Sequence, residues 1–274
     1  MIFLVLYVRP IFVMHINVLF PPFYMYGSPA DRFFMWNFHE GSAMIPLAME
    51  FFVDIADIEK VKNVAAYFPI DGFTTNPNIL TKSDKPLEEN LREYKEYIDE
   101  TGYTVFLQVT AENAAEMFAQ AKALKAYFGD RVVVKLPCSK EGYKALSLCK
   151  KEGLTICMTV IHSMLQALLA AKGGADYAAP YVSHIDNIGA DGIGCVGEMV
   201  KAFDRYGYKT KVLGASFRTA DEIERLAGVG CHAVTITPEF FDLLIKHPST
   251  NESLEMFKNS WKNAFGETQI TDYL

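Results

Sequence analysis

The strongest constraint on the fold is an alternation that begins at Glu50 and continues through most of the chain. Short runs of β-branched and aromatic residues alternate with longer segments of helical periodicity, and the short runs start roughly 20–30 residues apart. Neighbouring parallel strands need a right-handed helical crossover, so the alternation predicts a parallel sheet. Eight such units in about 200 residues predict a closed (β/α)8 barrel of the TIM type, an α/β fold.

Eight strands, each followed by a helix, are predicted from this alternation. The predicted strands are Glu50–Asp54, Gly72–Thr75, Thr104–Val109, Val132–Lys135, Thr155–Thr159, Tyr177–Pro180, Lys211–Ala215 and Ala233–Ile236. The clearest of the predicted helices are Pro86–Glu100, Asn113–Phe128, Glu141–Glu152, Ser163–Lys172, Gly194–Tyr206 and Ala220–Ala227. No stretch between these elements has the composition of a linker, so residues 49–248 are predicted to form one barrel domain.

A last amphipathic segment follows the eighth unit. The periodicity of Glu252–Phe265 predicts a helix whose apolar side chains have to be buried on its own barrel or on a neighbouring one. These side chains are Leu254, Phe257, Trp261 and Phe265. Residues 249–274 are therefore predicted to be a C-terminal helix and tail.

The first 48 residues differ in composition from the rest of the chain. Their only charged side chains are Arg9, Asp31, Arg32 and Glu40. Met1–Tyr26 is apolar, but Pro10 and the Pro21-Pro22 pair interrupt it, whereas a spanning helix needs about 20 uninterrupted apolar residues. A signal peptide lacks support, because neither a basic start nor a small-residue cleavage site is clear. A membrane anchor stays an alternative, but we favour an upstream extension from a mistaken start, with Met44 or Met49 as the natural one, and expect it to be unpacked.

Charge and cysteine content limit the partners and the compartment. The formal net charge is −7 and no cluster of basic residues is present, which argues against a nucleic-acid partner. The five cysteines are an odd number without a CxxC pair, a pattern typical of reduced thiols in the cytoplasm rather than of a disulfide framework. No metal-ligand spacing occurs, so no metal or cofactor is predicted. A small anionic molecule remains compatible with a locally positive site.

Polar residues collect where the predicted strands end, the edge at which (β/α)8 barrels build their active sites. These residues are Asp54, Thr74, Thr75, Asn76, Gln108, Lys135, Thr159, Tyr181, Ser216 and Arg218. Each has a structural explanation when taken singly: Asp54 can cap a helix near Asp57, and Thr74 and Asn76 can form the turn before Pro77. Together they predict one polar ring at the functional edge of the barrel.

Lys135 is the most informative member of this ring. It follows three valines and precedes Leu136-Pro137, so its side chain leaves an apolar strand. Lysine is almost never fully buried without a partner, and desolvation lowers the pKa of an ammonium until the amine becomes nucleophilic near neutral pH. A structural ion pair with Asp54 or another carboxylate at this edge is the alternative, and the residues alone favour neither.

Four segments taken together resemble the transaldolase family, most closely the small branch that contains fructose-6-phosphate aldolase. The segments are Phe52-Val53-Asp54, Gly72–Asn78, Val133–Pro137 and Gly214–Arg218. The resemblance extends over Met49–Gly266 and includes the closing motif from Phe257 to Gly266. The Thr-Thr-Asn-Pro turn in combination with the strand-four lysine is specific, whereas either feature alone would be weak.

The resemblance implies a metal-free class I aldolase mechanism and a role for each matching residue. Lys135 is implied as the Schiff-base lysine, Asp54 as the group that handles protons at the sugar hydroxyls, and Thr159 as a residue that positions water. Asn76 and Ser216 are implied to hold hydroxyls of a dihydroxyacetone unit, and Thr74 is placed with them. An iminium is an electron sink, so cleavage leaves an enamine instead of a bare carbanion. The resemblance also implies a homo-oligomer, a ring or a decamer joined through C-terminal helices.

Two positions bear on the branch of the family. Transaldolases resemble one another in a glutamate on strand three and a phenylalanine after strand six, where this chain has Gln108 and Tyr181. The favoured interpretation is an aldolase that cleaves or forms a ketose such as fructose 6-phosphate through a dihydroxyacetone imine. The first alternative is a transaldolase of the pentose phosphate pathway, which would pass the three-carbon unit between sugar phosphates. A non-catalytic sugar-binding barrel is an alternative from another class.

One departure from the family concerns the phosphate. Where the family has an arginine that helps to hold the substrate phosphate, this chain has His184, a poorer partner than a permanently charged guanidinium. Arg218 remains a candidate for anion binding. His162, where relatives often carry an aromatic residue, is predicted to be a packed ring and not a catalytic group. Whether the substrate is phosphorylated is therefore left open by the sequence.

Overall fold

The computed structural model describes residues 48–274, which form a closed barrel of eight parallel strands. The strands are β1 Glu50–Asp54, β2 Gly72–Thr74, β3 Thr104–Gln108, β4 Val132–Pro137, β5 Ile156–Ile161, β6 Tyr177–Pro180, β7 Lys211–Gly214 and β8 Ala233–Ile236. They follow one another in chain order, and β8 closes the barrel by pairing with β1. The prediction of a single (β/α)8 barrel is confirmed.

Helices surround the barrel and occupy the connections between strands. Within the described part of the chain they are α1 Ile58–Tyr67, α2 Pro77–Leu80, α3 Leu87–Thr101, α4 Ala114–Phe128, α5 Lys140–Lys151, α6 Met164–Lys172, α7 Val182–Asp186, α8 Gly192–Tyr206, α9 Ala220–Gly228, α10 Pro238–Ile245 and α11 Pro248–Phe265. Many begin with a side-chain cap that accepts from a first-turn amide, as Ser163 does for α6 and Thr219 for α9. These caps mark where each strand-end loop turns into its helix.

The barrel interior is packed below its functional edge. Its inner residues are Phe52, Phe106, Val133, Cys157, Tyr177, Ala179, Leu213 and Ala233. The Phe106 ring lies edge-on to Phe52 at 4.9 Å and to Tyr177 at 5.1 Å between centroids. The Tyr177 hydroxyl donates to Glu50 Oε2 at 2.9 Å near the amino ends of the strands. The interior is thus a filled core at this level of the barrel.

The strand bounds differ from the prediction by one or two residues, with one informative case at β5. This strand begins at Ile156 and continues to Ile161, while its pairing with β6 shifts between Met158 and Ile161. Val160 within that irregularity has φ +62°, a left-handed conformation that is rare for a β-branched residue. The bulge lengthens β5 and carries Thr159 to the edge of the barrel.

The C-terminal helix begins at Pro248 rather than at Glu252 and leaves most of its apolar side uncovered. Leu254 and Phe257 are 59% and 62% exposed, and Phe265 is 51% exposed. Trp261 is half-buried, and its indole Nε1 donates to the carbonyl of Thr268 at 2.8 Å. Of the two predicted destinations for this apolar side, its own barrel is excluded by these exposures. Burial on a second copy remains the alternative.

The expectations for residues 1–48, an unpacked extension or an anchor, fall almost entirely outside the described residues. Across residues 48–274, no helix combines the length and apolar character needed to cross a membrane.

Candidate active site

A cavity of about 990 Å³ opens at the carboxyl ends of the strands. Seven of the ten residues of the predicted polar ring lie in its wall. These are Asp54, Asn76, Gln108, Lys135, Thr159, Tyr181 and Ser216, and the predicted site residue His184 lies there as well. The strand ends therefore meet at one cavity for seven ring positions, whereas Thr74, Thr75 and Arg218 do not line it.

Lys135 projects from β4 into the floor of this cavity. Its β-ladder neighbours are Gln108 of β3 on one side and Cys157 of β5 on the other. The residue is only 5% exposed, and Nζ donates to the carbonyl oxygen of Thr75 at 2.8 Å. Burial lowers the pKa of Lys135, against the opposing effect of the Asp54 charge. The site therefore favours a neutral amine.

Within the described part of the chain, the structure does not contain the ion pair that was the alternative explanation for Lys135. Among residues 48–274, no carboxylate lies within ion-pair distance of its Nζ. Its buried neighbour Cys157 cannot supply a counter-charge either, because burial raises the pKa of that thiol to about 12. A buried lysine without an ion-pair partner is a candidate for a functional group.

Asp54 ends β1 on the other side of the cavity. Burial raises the pKa of this carboxyl group, while the Lys135 charge and a hydrogen bond from Thr74 act in the opposite direction. The Thr74 hydroxyl donates to Asp54 Oδ1 at 2.6 Å. A carboxyl group that faces the cavity in this way is a candidate for exchanging a proton with a bound molecule.

Thr74 stands behind Asp54 rather than in the cavity wall. Its side chain is completely buried, and it contacts the Asp54 carboxylate and the hydroxyl of Thr235, so a contact of Thr74 with substrate stays a prediction. Thr235 of β8 lines the cavity and was not predicted. A threonine in an apolar strand carries no distinctive signal in the sequence, because β-branched residues are common there.

Tyr181 and Thr159 lie at the opposite wall, with Thr159 Oγ1 3.4 Å from the Tyr181 hydroxyl. Two imidazoles surround the Tyr181 ring: His162 at 5.7 Å and His184 at 5.3 Å between centroids. The imidazoles stack on each other at 5.8 Å with an interplanar angle of 21°. His162 is a packed ring, as predicted, and His184 borders the cavity.

Ser216 follows β7 in a strained conformation. Its φ is +62°, and its hydroxyl lies 2.9 Å from that of the buried Ser183. A left-handed non-glycine residue costs about 1–3 kcal/mol, and such strain often marks functional positions. Ser183 was not predicted to contact Ser216. Its position two residues after Tyr181, beyond the end of β6, is the feature of the sequence that could have indicated it.

The cavity wall contains lysines but no arginine among the described residues. Arg218 is exposed, its backbone N–H donates to Glu222, and it does not line the cavity. The exposed Lys60 lies in the first turn of α1, which follows β1, and the exposed Lys82 follows α2 in the connection after β2. The wall therefore offers ammonium groups from the connections after β1 and β2, and an imidazole at His184.

The fold and site together define a (β/α)8 barrel with a buried lysine in a cavity at the carboxyl ends of its strands. A family model described as "Transaldolase/Fructose-6-phosphate aldolase" matches residues 51–273. The chain therefore belongs to the transaldolase/fructose-6-phosphate aldolase family, as the motifs predicted, and is an enzyme of the transaldolase or aldolase type.

Several relatives support this assignment. A "Probable transaldolase" of Lactiplantibacillus plantarum is 36% identical over 221 residues, covering 81% of this chain and 100% of the relative. Proteins with the same description from Methanococcus maripaludis and Kosmotoga olearia are 37% and 36% identical over 214 residues. These two alignments cover 78% of this chain and 98% and 96% of the relatives. The non-catalytic alternative is set aside by this membership.

Proposed function

We propose that this enzyme is a Schiff-base aldolase that cleaves or forms a ketose through an imine of dihydroxyacetone. The observation that carries the proposal is the buried Lys135 amine, which faces a polar cavity and has no ion-pair partner within the described residues. A neutral amine adds to a ketone, and an ammonium does not. Asp54 stands in the same cavity as the group that exchanges protons.

The proposed cleavage begins with addition of the Lys135 amine to the C2 carbonyl of the ketose. Loss of water from the carbinolamine leaves an iminium, and Asp54 takes the proton of the C4 hydroxyl. The C3–C4 bond then breaks, its electron pair forms the enamine, and the aldehyde departs with a C=O bond at the former C4. Protonation of the enamine at C3 and hydrolysis of the imine release dihydroxyacetone and restore the amine.

Release rather than transfer is supported by the groups around the imine. The Tyr181 hydroxyl, close to Thr159, can relay a proton to the enamine carbon, and the Gln108 amide can hold the water for hydrolysis. Asn76 and Ser216 are positioned in the wall to bind the hydroxyls of the dihydroxyacetone unit. Thr74 would act through Asp54.

The proposal is tested by borohydride trapping with dihydroxyacetone, followed by peptide mass analysis. We expect a reduced adduct on Lys135 and none on a Lys135→Met variant. Lys140→Met is the matched control, because this lysine is exposed on α5 only five residues further along the chain. An intact wild-type protein without an adduct, or with the adduct on another lysine, would contradict the proposal.

Transaldolase activity is the second candidate, favoured by the descriptions of the relatives. A transferase keeps its enamine until an aldose acceptor arrives, whereas an aldolase releases free ketone without one. Turnover of fructose 6-phosphate with and without added aldose separates the two. We expect free dihydroxyacetone in the absence of acceptor, and turnover that requires acceptor would assign the transferase.

The surroundings of the enzyme belong to the same proposal. We place it in the cytoplasm, since the described cysteines are all unpaired. The partners proposed are small sugars, with or without phosphate, and no nucleic acid or membrane. The uncovered apolar side of α11 supports a homo-oligomer in which this helix packs on a neighbouring barrel.

A further inference from the structure

We propose that Thr235 is a positioning residue that fixes the direction of the hydrogen bond from Thr74 to Asp54. The inference rests on the proposed role of Asp54 in moving protons, and it adds a residue of β8 that no motif of the sequence singled out. Thr235 acts through Thr74 and not by contact with Asp54.

Three oxygens from three strands form one continuous hydrogen-bond chain. Thr74 Oγ1 lies 2.6 Å from Asp54 Oδ1 and 2.6 Å from Thr235 Oγ1. Both threonines are buried, at 0% and 5% exposure, so solvent has little access to either hydroxyl. Because β1 pairs with both β2 and β8, the closure of the barrel places these strands side by side.

The number of protons decides the direction of the chain. An ionised carboxylate only accepts, so the single proton of the Thr74 hydroxyl points to Asp54 Oδ1. Thr74 can then only accept from Thr235, whose own proton is committed to Thr74. Thr235 also lines the cavity. Each bond polarises the next, so the Thr235 hydroxyl strengthens the donation that Asp54 receives.

This arrangement has a consequence for ionisation. Burial raises the pKa of Asp54, and the Lys135 charge and the Thr74 hydrogen bond oppose that rise. Lys135 of β4 and Tyr181 after β6 are the titratable groups that face Asp54 across the cavity, with Cys157 of β5 beyond Lys135. The other titratable groups of the wall are Asp57, Glu59, Lys60, Lys82, Asp84, Lys85 and His184. Replacing the neutral Thr235 changes none of these charges, so an effect on Asp54 isolates the hydrogen-bond chain.

The test measures kcat for ketose cleavage from pH 4 to pH 9. In the imine complex the Lys135 nitrogen is bonded to substrate, so the acidic limb of kcat follows Asp54. Activity falls as pH drops through the pKa of this base. Thr235→Val removes the donor at nearly constant volume, and we expect the limb to move by about 0.5 pH unit to higher pH. Thr235→Ser keeps the donor and is expected to restore the wild-type limb.

A double variant shows whether Thr235 acts through Thr74. Thr74→Val alone is expected to move the limb by about 1 pH unit, since a hydrogen bond to a charged group is lost. Adding Thr235→Val to that background should give no further shift. Thr210→Val is the structural control, because its buried hydroxyl donates to the Ala175 carbonyl at 2.6 Å, and its limb should stay at the wild-type pH.

Each other outcome overturns the inference. An unmoved limb in Thr235→Val, the same shift in both backgrounds, or a serine variant that behaves like valine would exclude coupling through Thr74. If Thr235→Val does not fold, Thr235→Ala removes the same donor and takes its place. Trapping of dihydroxyacetone on wild-type Lys135 distinguishes failure of the proposed function from failure of this inference. If no adduct forms, the proposed function fails. If the adduct forms and the acidic limb of Thr235→Val does not move, only the role of Thr235 is rejected.

Discussion

Two side chains with opposite requirements lie at the centre of the proposed mechanism. In that mechanism Lys135 has to be neutral to attack a ketone, and Asp54 has to be ionised to take a proton. Burial favours the neutral form of both, lowering the pKa of the amine and raising that of the carboxyl group. The Thr74 hydrogen bond supports the ionised form of Asp54 without adding a charge that would bring a proton back to Lys135.

The lowered pKa of Lys135 predicts how borohydride trapping of its imine depends on pH. Because burial lowers its pKa, the amine stays neutral at pH values where an exposed lysine, with an ordinary pKa of about 10.4, is protonated. We expect the initial rate of borohydride trapping with dihydroxyacetone to fall as pH decreases, with its midpoint well below that ordinary value. Asp54→Asn should move the midpoint lower still, since the Asp54 charge raises the pKa of Lys135. A midpoint at the ordinary lysine value would refute the prediction.

The histidine at position 184 leads to a prediction about whether the enzyme prefers a phosphorylated or an unphosphorylated aldehyde. The side of the cavity that it borders contains no guanidinium among the described residues, so His184→Arg would add a charged, forked partner for phosphate. We expect kcat/KM for a phosphorylated aldehyde to rise about tenfold relative to its unphosphorylated counterpart, measured in the synthetic direction. His247→Arg adds the same charge at an exposed histidine on the surface and should leave the ratio unchanged. An unaltered ratio in His184→Arg would place the phosphate elsewhere in the cavity.

At the scale of elements, the strand ends were predictable and the irregularities were not. The run of three valines before Lys135 and the capped helix starts follow local rules that the sequence shows directly. The bulge at Val160 and the left-handed Ser216 do not, because neither residue type favours such a conformation. Tertiary contacts impose them: β5 has to pair with β4 and β6 at once, and Ser216 contacts Ser183.

Gly72 gives a stability prediction for β2. Its φ is +151°, and a Cβ atom there would lie 1.9 Å from the carbonyl oxygen of Thr104, its partner on β3. Gly72→Ala is expected to lower the free energy of unfolding by about 3 kcal/mol, because the two strands have to separate. Gly228→Ala, at the end of α9 with no atom within 4 Å of the new Cβ, should change it by about 0.5 kcal/mol or less. Urea denaturation measures both, and equal stability of the two variants would contradict the argument.

For the whole molecule, the main open feature is the apolar side of α11, which no other described part of the chain covers. A fully buried large apolar side chain contributes about 1.5–3 kcal/mol, and Leu254, Phe257 and Phe265 are each more than half exposed. Such a face is typical of an interface with another subunit. The candidate active site lies in the barrel, and we expect this helix to pack on another subunit.

Phe257→Glu tests that assembly. We expect the wild-type protein to have a native mass several times the 30.8 kDa of one chain, measured by light scattering after size exclusion. A charge in the centre of the apolar side should shift the mass towards one chain, because an unpaired buried carboxylate is costly. Lys258→Glu changes charge at the next residue, which is also exposed, and should keep the oligomer. A monomeric wild-type protein would reject the interface.

By itself the sequence determined the eight strands, the closed barrel and a ring of polar residues at one end, because periodicity and strand-end position are local properties. It also determined that Lys135 leaves an apolar strand. Only the tertiary structure decided which of those polar residues meet. Arg218 lies outside the cavity wall, and Thr74 lies behind Asp54. Thr235 of β8 contacts Thr74, and Ser183 of α7 contacts Ser216. Contacts between residues 33 and 161 positions apart depend on how the barrel closes, and no local pattern encodes them.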